Sequence, residues 1–140
     1  DGINTFTGEK ELTKFLKQID ILVCMLPLTP KTKGILNLEL FNKVEKEFCL
    51  INVARGEHLV DKDLLTALKN KIIKEATLDV FHIEPLPLKH PFWENSKIFI
   101  TPHIASLLDP VAGGKEIAKN INDFLNGKRV DNLIPPGKGY

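Results

Sequence analysis

The stretch from Phe48 to Gly56, FCLINVARG, decides the fold, because an unbroken apolar run leads directly into an arginine and a glycine. Apolar residues that do not alternate with polar ones are typical of a strand covered on both faces, as in a parallel sheet. Similar runs occur before and after it, and we predict strands over 21–26, 48–53, 76–81 and 98–101.

Helical patterns separate these strands. Four apolar residues at helical spacing form the buried face of a first helix, which Thr7 or Gly8 can cap. They are Leu12, Phe15, Leu16 and Ile19. A short helix is predicted over 37–44, and a longer one would be capped by Asp61 and ended by Asn70 in the left-handed conformation. The alternation of strand and helix predicts an α/β fold with a parallel sheet.

A last helix is predicted after Asp109, which can act as N-cap with Pro110 at the first helical position. Gly127 is a natural end for it, and four apolar residues would form its buried face. They are Ile117, Ile121, Phe124 and Leu125. We therefore expect one unit over residues 1–108 and a second, the helix and a tail, over 109–140.

The composition excludes several classes of function. Lys plus Arg number 19 and Asp plus Glu number 18, so the net charge of +1 gives no reason to expect nucleic acid or an anionic membrane as partner. The longest apolar run, 21–28, is too short to span a bilayer. Cys24 and Cys49 lie in apolar runs and are predicted to be buried thiols rather than a disulfide or metal pair. We expect a cytoplasmic protein.

Polar residues follow the predicted strands at the edge where ligands bind in open α/β sheets. Arg55 follows the second strand, Glu84 the third and His103 the fourth, so all three should converge. Oxidising a 2-hydroxy acid needs a base for the hydroxyl proton, and histidine suits both directions of that transfer. A carboxylate on its other nitrogen would fix the tautomer and favour the imidazolium, and an arginine can bind a substrate carboxylate.

Three segments resemble the signatures of the D-isomer-specific 2-hydroxyacid dehydrogenase family, in order and spacing. They are NVARGEHLVD at 52–61, LDVFHIEPLP at 78–87 and TPHIA at 101–105. The last helix and the ending Gly139-Tyr140 look closest to the branch that reduces glyoxylate and hydroxypyruvate. The resemblance implies the later half of a doubly wound, Rossmann-like parallel-sheet domain that binds NAD or NADP, with NADP slightly favoured, plus a C-terminal helix.

The same resemblance implies roles for individual residues. Arg55 would bind the substrate carboxylate, Glu84 would pair with the acid/base His103, and Asp79 would hold the nicotinamide carboxamide. The cofactor would also be lined by a set of largely backbone contacts, which includes the loop at 26–32. That set is Leu26, Pro27, Thr32, Val53, Ala54 and Ala105, together with Arg55 and His103. Relatives of this kind imply a homodimer acting on a small 2-keto or 2-hydroxy acid.

The chain departs from the family in two respects. The Gly-x-Gly-x-x-Gly loop that cradles pyrophosphate is absent from these 140 residues, as is an N-terminal substrate domain. We therefore expect a fragment that shows no turnover of NADPH and glyoxylate on its own. Lys71 and Glu75 stand where members often have glycine, and Ser106-Leu107-Leu108 is unlike the more widespread members.

Two functions stay open at this point. One is an active dehydrogenase or reductase, and the other is a family relative that senses dinucleotides as a regulatory binding protein. Both are compatible with Arg55, Glu84 and His103. A His103→Ala substitution would separate them, because only the enzyme should lose turnover.

The remaining histidines and the tryptophan have weaker signals. His82-Ile83-Glu84 resembles the His-x-Glu of zinc deaminases, but the Pro-Cys-x-x-Cys that should follow is missing, so no metal site is predicted. His58, His82 and His90 are expected to be solvated or to cap a helix. Trp93 is as compatible with packing as with contact to a substrate or a neighbouring subunit.

Overall fold

The computed structural model of the chain describes residues 2–106 and 109–134, which fall into two compact units, Asp1–His103 and Ile104–Tyr140. Leu107, Leu108 and the predicted tail over 135–140, including Gly139-Tyr140, lie outside the described residues.

Four parallel strands form the sheet of the first unit in the order β1-β2-β3-β4. They are β1 (Ile21–Cys24), β2 (Phe48–Asn52), β3 (Ile73–Leu78) and β4 (Ile98–Ile100). The predicted parallel α/β fold is confirmed. Because every strand runs in the same direction, the segments that follow the four strands leave from one edge of the sheet, which we call the carboxyl edge.

The described residues of this unit form three α-helices, α1 (Gly8–Leu16), α2 (Leu38–Phe41) and α3 (Asp61–Lys69), and two short 3-10 helices, Gly56–His58 and Pro91–Glu94. Apolar residues of α3 pack against β3 and α2, and they join the strand residues that share one face of the sheet. The largest buried side chains in this core include Phe41, Phe48, Leu50, Leu64, Ile73, Leu78 and Phe92. Burial of this apolar surface is the main stabilising term of the unit, at roughly 25 cal/mol per Å².

The two faces of the sheet are covered unequally. Leu22 of β1 is 7% exposed, whereas its neighbours Ile21 and Val23 are 55% and 47% exposed, and Phe99 of β4 is 52% exposed. The prediction that these apolar runs are covered on both faces is therefore wrong for the face that carries Ile21, Val23 and Phe99. An unbroken apolar run shows that both faces are apolar, but it does not show which elements cover them.

Several boundaries differ from the predictions: β1, β2, β4 and α2 are shorter than predicted, and three further differences concern residues with a predicted role. Strand β3 begins and ends earlier than expected, so Asp79 follows the strand instead of lying within it. Val60 is the N-cap of α3 and Asp61 its first residue, because the Asp61 carboxylate faces two histidines instead of the helix amides. Lys71 (φ 57°), and not Asn70, takes the left-handed conformation, which explains why a glycine would suit position 71.

Helix α4 (Pro110–Leu125) belongs to the second unit and begins where predicted. The Asp109 side chain accepts a hydrogen bond from the Val111 amide at 2.9 Å, and Gly127 follows the helix with φ 66°. The predicted buried face is wrong, because its four residues, Ile117, Ile121, Phe124 and Leu125, are between 56% and 76% exposed. They line an open apolar depression together with Val130 and Leu133. Among the described residues, no helix is long and apolar enough to cross a membrane.

Candidate active site

The ends of β3 and β4 hold Asp79 at the carboxyl edge. Asp79 is 2% exposed, and its Oδ1 accepts a hydrogen bond from the hydroxyl of Thr101. The Thr101 amide in turn donates to the carbonyl oxygen of Leu78 at 3.0 Å, as a continuation of the sheet pairing. A buried carboxylate requires such partners, and here the pairing of two parallel strands supplies one.

Glu84 and His103 form a direct contact beside it. The distance from His103 Nδ1 to Glu84 Oε2 is 2.7 Å, and Glu84 Oε1 accepts a hydrogen bond from the Phe81 amide at 2.9 Å. The hydrogen bond from His103, with help from the Phe81 amide, holds the pKa of the Glu84 carboxyl below its ordinary value. The backbone of His103 has φ 55°, in the left-handed region. Both this backbone conformation and the contact with Glu84 orient the imidazole ring.

The pair fixes which ring nitrogen can react. An ionised carboxylate only accepts hydrogen bonds, so Nδ1 of His103 carries the proton of the contact with Glu84. Nε2 is then the nitrogen left for proton exchange with a substrate. The side chains of His103 and Glu84 are 48% and 37% exposed, so a small molecule can reach them.

Arg55 is placed at the same edge by its backbone. Its carbonyl oxygen accepts hydrogen bonds from Asn52 Nδ2 at 3.0 Å and lies 3.1 Å from His58 Nδ1. Its guanidinium is exposed and donates to the neighbouring Ala54 carbonyl at 2.6 Å. The structure therefore fixes where the Arg55 side chain starts, and among the described residues it does not bring the guanidinium into hydrogen-bonding contact with Glu84 or His103.

Gly56 brings the arginine segment against the segment that carries Glu84. A Cβ atom built on Gly56 would lie 2.0 Å from the carbonyl carbon of Phe81 and 2.4 Å from the amide nitrogen of His82. No side chain fits at that distance, so the close approach of these two backbones depends on glycine. The contact therefore holds the backbone next to Arg55 against the Phe81–His82 peptide, in the segment that leads to Glu84.

Asn52 and His58 form a buried polar network that sequence reasoning missed. Both are 0% exposed. Asn52 bridges the turn by accepting from the Ala54 amide at 3.2 Å and donating to Arg55, while His58 Nε2 lies 3.3 Å from the Pro27 carbonyl oxygen. The expectation that His58 is solvated or caps a helix is wrong. An asparagine inside an apolar strand was the available signal, whereas nothing in the sequence pattern indicated His58 or Thr101.

The loop after β1 is held by its own hydroxyl groups. Thr32 Oγ1 donates to the Pro27 carbonyl oxygen at 2.7 Å and accepts from the Thr29 amide at 2.8 Å. The hydroxyl of Thr32 is thus engaged in shaping the loop. Leu26 is 42% exposed and Pro27 is also exposed, so both present apolar surface at the carboxyl edge.

The other residues of the predicted cofactor set differ in exposure. Val53 is partly exposed, whereas Ala54 is only 7% exposed. Ala54 can therefore contact a cofactor only through its backbone or through the small exposed part of its methyl group. Ala105 is exposed and lies in the second unit.

His82 and His90 share one carboxylate. Their Nε2 atoms lie 3.5 Å and 3.4 Å from the two oxygens of Asp61, and His82 Nε2 is 2.8 Å from the Leu59 carbonyl oxygen. The Nδ1 atom of His90 accepts from the Phe92 amide, so this histidine does cap a short turn. The three side chains tie the proline-rich segment after β3 to the start of α3. Within the described ranges, no group of three or more His, Cys, Asp or Glu side chains is arranged to hold a metal ion.

The parallel sheet and its polar carboxyl edge are those of a dinucleotide-binding α/β domain. The chain belongs to the D-isomer-specific 2-hydroxyacid dehydrogenase family, whose NAD-binding-domain model matches residues 4–105.

Named proteins and solved structures that are similar to this chain support its membership of the family. A glyoxylate/hydroxypyruvate reductase A of Yersinia enterocolitica is 40% identical over 140 residues, which are all of this chain and 45% of that protein. The crystal structure of a D-isomer-specific 2-hydroxyacid dehydrogenase from Xanthobacter autotrophicus Py2, in complex with NADPH and MES, is 41% identical with a TM-score of 0.91, and the match covers 96% of this chain and 56% of that one.

A third match is the NADPH-dependent glyoxylate/hydroxypyruvate reductase of Sinorhizobium meliloti in complex with NADP and sulfate. It is 34% identical with a TM-score of 0.90, and the match covers 96% of this chain and 44% of that one. The chain therefore spans about half the length of the relatives it matches.

Proposed function

We propose that the complete protein carrying this sequence is a reductase that converts small 2-keto acids of the glyoxylate and hydroxypyruvate type to D-2-hydroxy acids with NAD(P)H. The observation that carries the proposal is the 2.7 Å contact between His103 and Glu84 at the carboxyl edge. It provides a histidine with a fixed tautomer and an accessible Nε2, which is the requirement for a general acid/base in this reaction.

His103 has the central role in the proposal. A bound nicotinamide supplies the hydride that adds to the keto carbon. His103 Nε2 protonates the oxygen of that carbonyl, and in the reverse direction it takes the hydroxyl proton. Glu84 keeps the imidazole in its orientation and compensates the charge of the protonated ring. Such a positioned acid contributes about 10²–10⁴-fold to the rate.

Arg55 is proposed to bind the substrate carboxylate. Its side chain is exposed and its only described hydrogen bond is to the adjacent Ala54 carbonyl, a neutral acceptor that a carboxylate can replace. A two-pronged guanidinium–carboxylate contact would orient the 2-keto acid as well as bind it.

The residues at the carboxyl edge suit the nicotinamide end of a dinucleotide. Exposed apolar surface from Met25 and Leu26 fits a flat ring, and Asp79 offers a carboxylate that can accept from a carboxamide. The same end of the cofactor would be lined by Pro27, Thr32, Val53 and Ala54. Ala105 is proposed as a further cofactor contact. NADP is favoured over NAD because the two solved relatives named above were determined with NADPH and NADP.

We also propose how the rest of the chain is used. Residues 1–108 would form the later part of the nucleotide-binding domain, and 109–140 would return to a substrate domain. The exposed apolar residues of α4 support this, because they need a partner surface. A homodimer is proposed for the complete protein. Neither the described residues nor the relatives named above favour the dinucleotide-sensing alternative.

The test is an NADPH-oxidation assay of the complete protein with glyoxylate and hydroxypyruvate. We expect turnover with both NADPH and a 2-keto acid present, and loss of turnover by about three orders of magnitude in His103→Ala with the NADPH dissociation constant nearly unchanged. A His103→Ala protein that retains turnover, or a wild-type protein that binds NADPH and reduces no 2-keto acid, would contradict the proposal.

A further inference from the structure

A cavity of about 520 Å³ opens beside the Glu84–His103 pair. The segment after β3 contributes Leu86, Leu88 and Trp93 to its lining, and the strand ends contribute Phe81, Ile100 and Pro102. Every residue that lines the cavity belongs to the first unit. The sequence prediction left Trp93 open between packing and substrate contact, and its place in this lining favours a role in binding.

The wall formed by the segment after β3 is held in position before any ligand binds. The indole Nε1 of Trp93 donates to the Pro87 carbonyl oxygen at 3.0 Å, which satisfies the only polar atom of that side chain. The adjacent Phe92 is 1% exposed and anchors the segment in the core, and His90 connects it to Asp61. Trp93 nevertheless remains 51% exposed, so its ring is available to a ligand.

The chemistry of the lining restricts what the cavity can accept. Among the described residues that line it, the only ionisable side chains are those of Glu84 and His103, and these contact each other. A polar substituent would therefore lose hydrogen bonds to water without replacing them, whereas an apolar one would gain by leaving water. The ligand must also place a reactive group at His103 if the proposed function is correct.

We infer that this cavity holds the side chain of the 2-keto acid, and that among 2-keto acids whose reacting carbonyl is a ketone the protein prefers a longer aliphatic or an aromatic side chain. The inference rests on the proposed function and names the substrate class of the same site. Glyoxylate has no carbon beyond its reacting aldehyde, so it leaves the cavity unused, and the hydroxymethyl group of hydroxypyruvate matches an apolar lining poorly.

The expected size of the preference follows from the burial of carbon atoms. Each methylene that enters an apolar site contributes about fourfold in binding, from the usual transfer free energy of a CH₂ group. Along the series pyruvate, 2-oxobutanoate and 2-oxopentanoate, which are all ketones, we expect kcat/KM of the complete protein to rise at each step by about that factor while the cavity accommodates the chain.

Two variants and one control test the assignment to this cavity. Leu88 is 94% exposed, so Leu88→Trp can narrow the opening without disturbing the core, and it should lower the ratio of kcat/KM for 2-oxopentanoate to kcat/KM for glyoxylate by about tenfold. Trp93→Ala should raise KM for the longer acids with little change in kcat. Ile83→Ala is the matched control, since Ile83 is 64% exposed in the same segment and does not line the cavity.

The outcomes separate this inference from the proposed function. If the wild-type protein reduces glyoxylate but kcat/KM is flat or falls with chain length, the inference is wrong and the proposed function stands. The same holds if Leu88→Trp affects glyoxylate and 2-oxopentanoate equally. If no 2-keto acid is reduced at all, both are wrong.

Discussion

Two polar clusters at the carboxyl edge differ in burial and in what they contact. Asn52 and His58 are fully buried, and their polar atoms face backbone atoms of the segments that follow β1 and β2. Glu84 and His103 keep more than a third of their side-chain surface exposed and contact each other. The first cluster lies beneath the loops, and the second faces solvent.

This difference separates the residues that build the site from those that are proposed to react in it. A buried polar group that holds backbone atoms stabilises one loop conformation, since removing it leaves unsatisfied donors or acceptors behind. An exposed charged pair contributes little to stability, because water screens it. We therefore expect substitutions in the buried cluster to lower the free energy of unfolding and substitutions in the exposed pair to lower turnover.

The largest effect on stability is expected where the two clusters meet, at Gly56. A Gly56→Ala methyl group would overlap the Phe81–His82 peptide, so the segments carrying Arg55 and Glu84 must move apart. We expect a loss of about 3 kcal/mol or more in the free energy of unfolding, measured by urea denaturation. Gly114→Ala is the control, since a Cβ there meets nothing within 4 Å. Equal stability of the two variants would contradict the close approach.

Removal of the buried side-chain amide of Asn52 should give the next largest loss in the free energy of unfolding. Asn52→Ala leaves the Ala54 amide without its side-chain acceptor and removes a donor from the Arg55 carbonyl. The expected loss is about 2 kcal/mol in the free energy of unfolding, from one buried donor left unsatisfied. Denaturation of Asn52→Ala beside Asn95→Ala checks this. Asn95 is a partly buried asparagine whose side chain bonds only locally, so a similar loss in both would show that the Asn52 network has no special role.

For the exposed pair, Glu84 and His103, we expect a substitution to change stability little and to lower turnover. Glu84→Gln should change the free energy of unfolding by no more than about 0.5 kcal/mol, as is usual for exposed positions. Turnover should nevertheless fall at least about tenfold, because a neutral amide no longer compensates the charge of the protonated imidazole. Denaturation and NADPH-oxidation measurements on the same Glu84→Gln preparation test both expectations. A variant that is strongly destabilised but fully active would reverse the assignment of the two clusters.

The smallest effect is the pH dependence of stability. The pKa of Glu84 is lowered in the folded chain, mainly by the hydrogen bond from His103, so the pair stabilises the fold at pH values above the ordinary glutamate pKa of about 4.3. As pH falls through the lowered folded value, that contribution disappears. The stability difference between the wild-type protein and Glu84→Gln should therefore shrink as the pH is lowered from neutral to below the ordinary glutamate pKa of about 4.3. A difference that grows on acidification would contradict the lowered pKa.

The sequence predicted the exposed cluster, Glu84 and His103, better than the buried cluster, Asn52 and His58. Polar residues directly after apolar strands must lie at one edge of a parallel sheet, so the convergence of Glu84 and His103 followed from strand direction. His58 lacked any such signal, because its burial depends on carbonyl oxygens of two loops whose course is not encoded in a periodic pattern. The exposed face at Ile21 and Val23 was missed for a related reason, since local apolarity does not reveal which partner covers it.

We propose that Glu84 and His103 act as one unit in proton transfer. A double-mutant cycle on kcat of the complete protein, with His103→Ala, Glu84→Gln and the double variant, tests it most directly. We expect the double variant to be no slower than His103→Ala alone, because Glu84 acts only through the imidazole. If the two losses multiply in the double variant, the residues act independently and the claim is wrong.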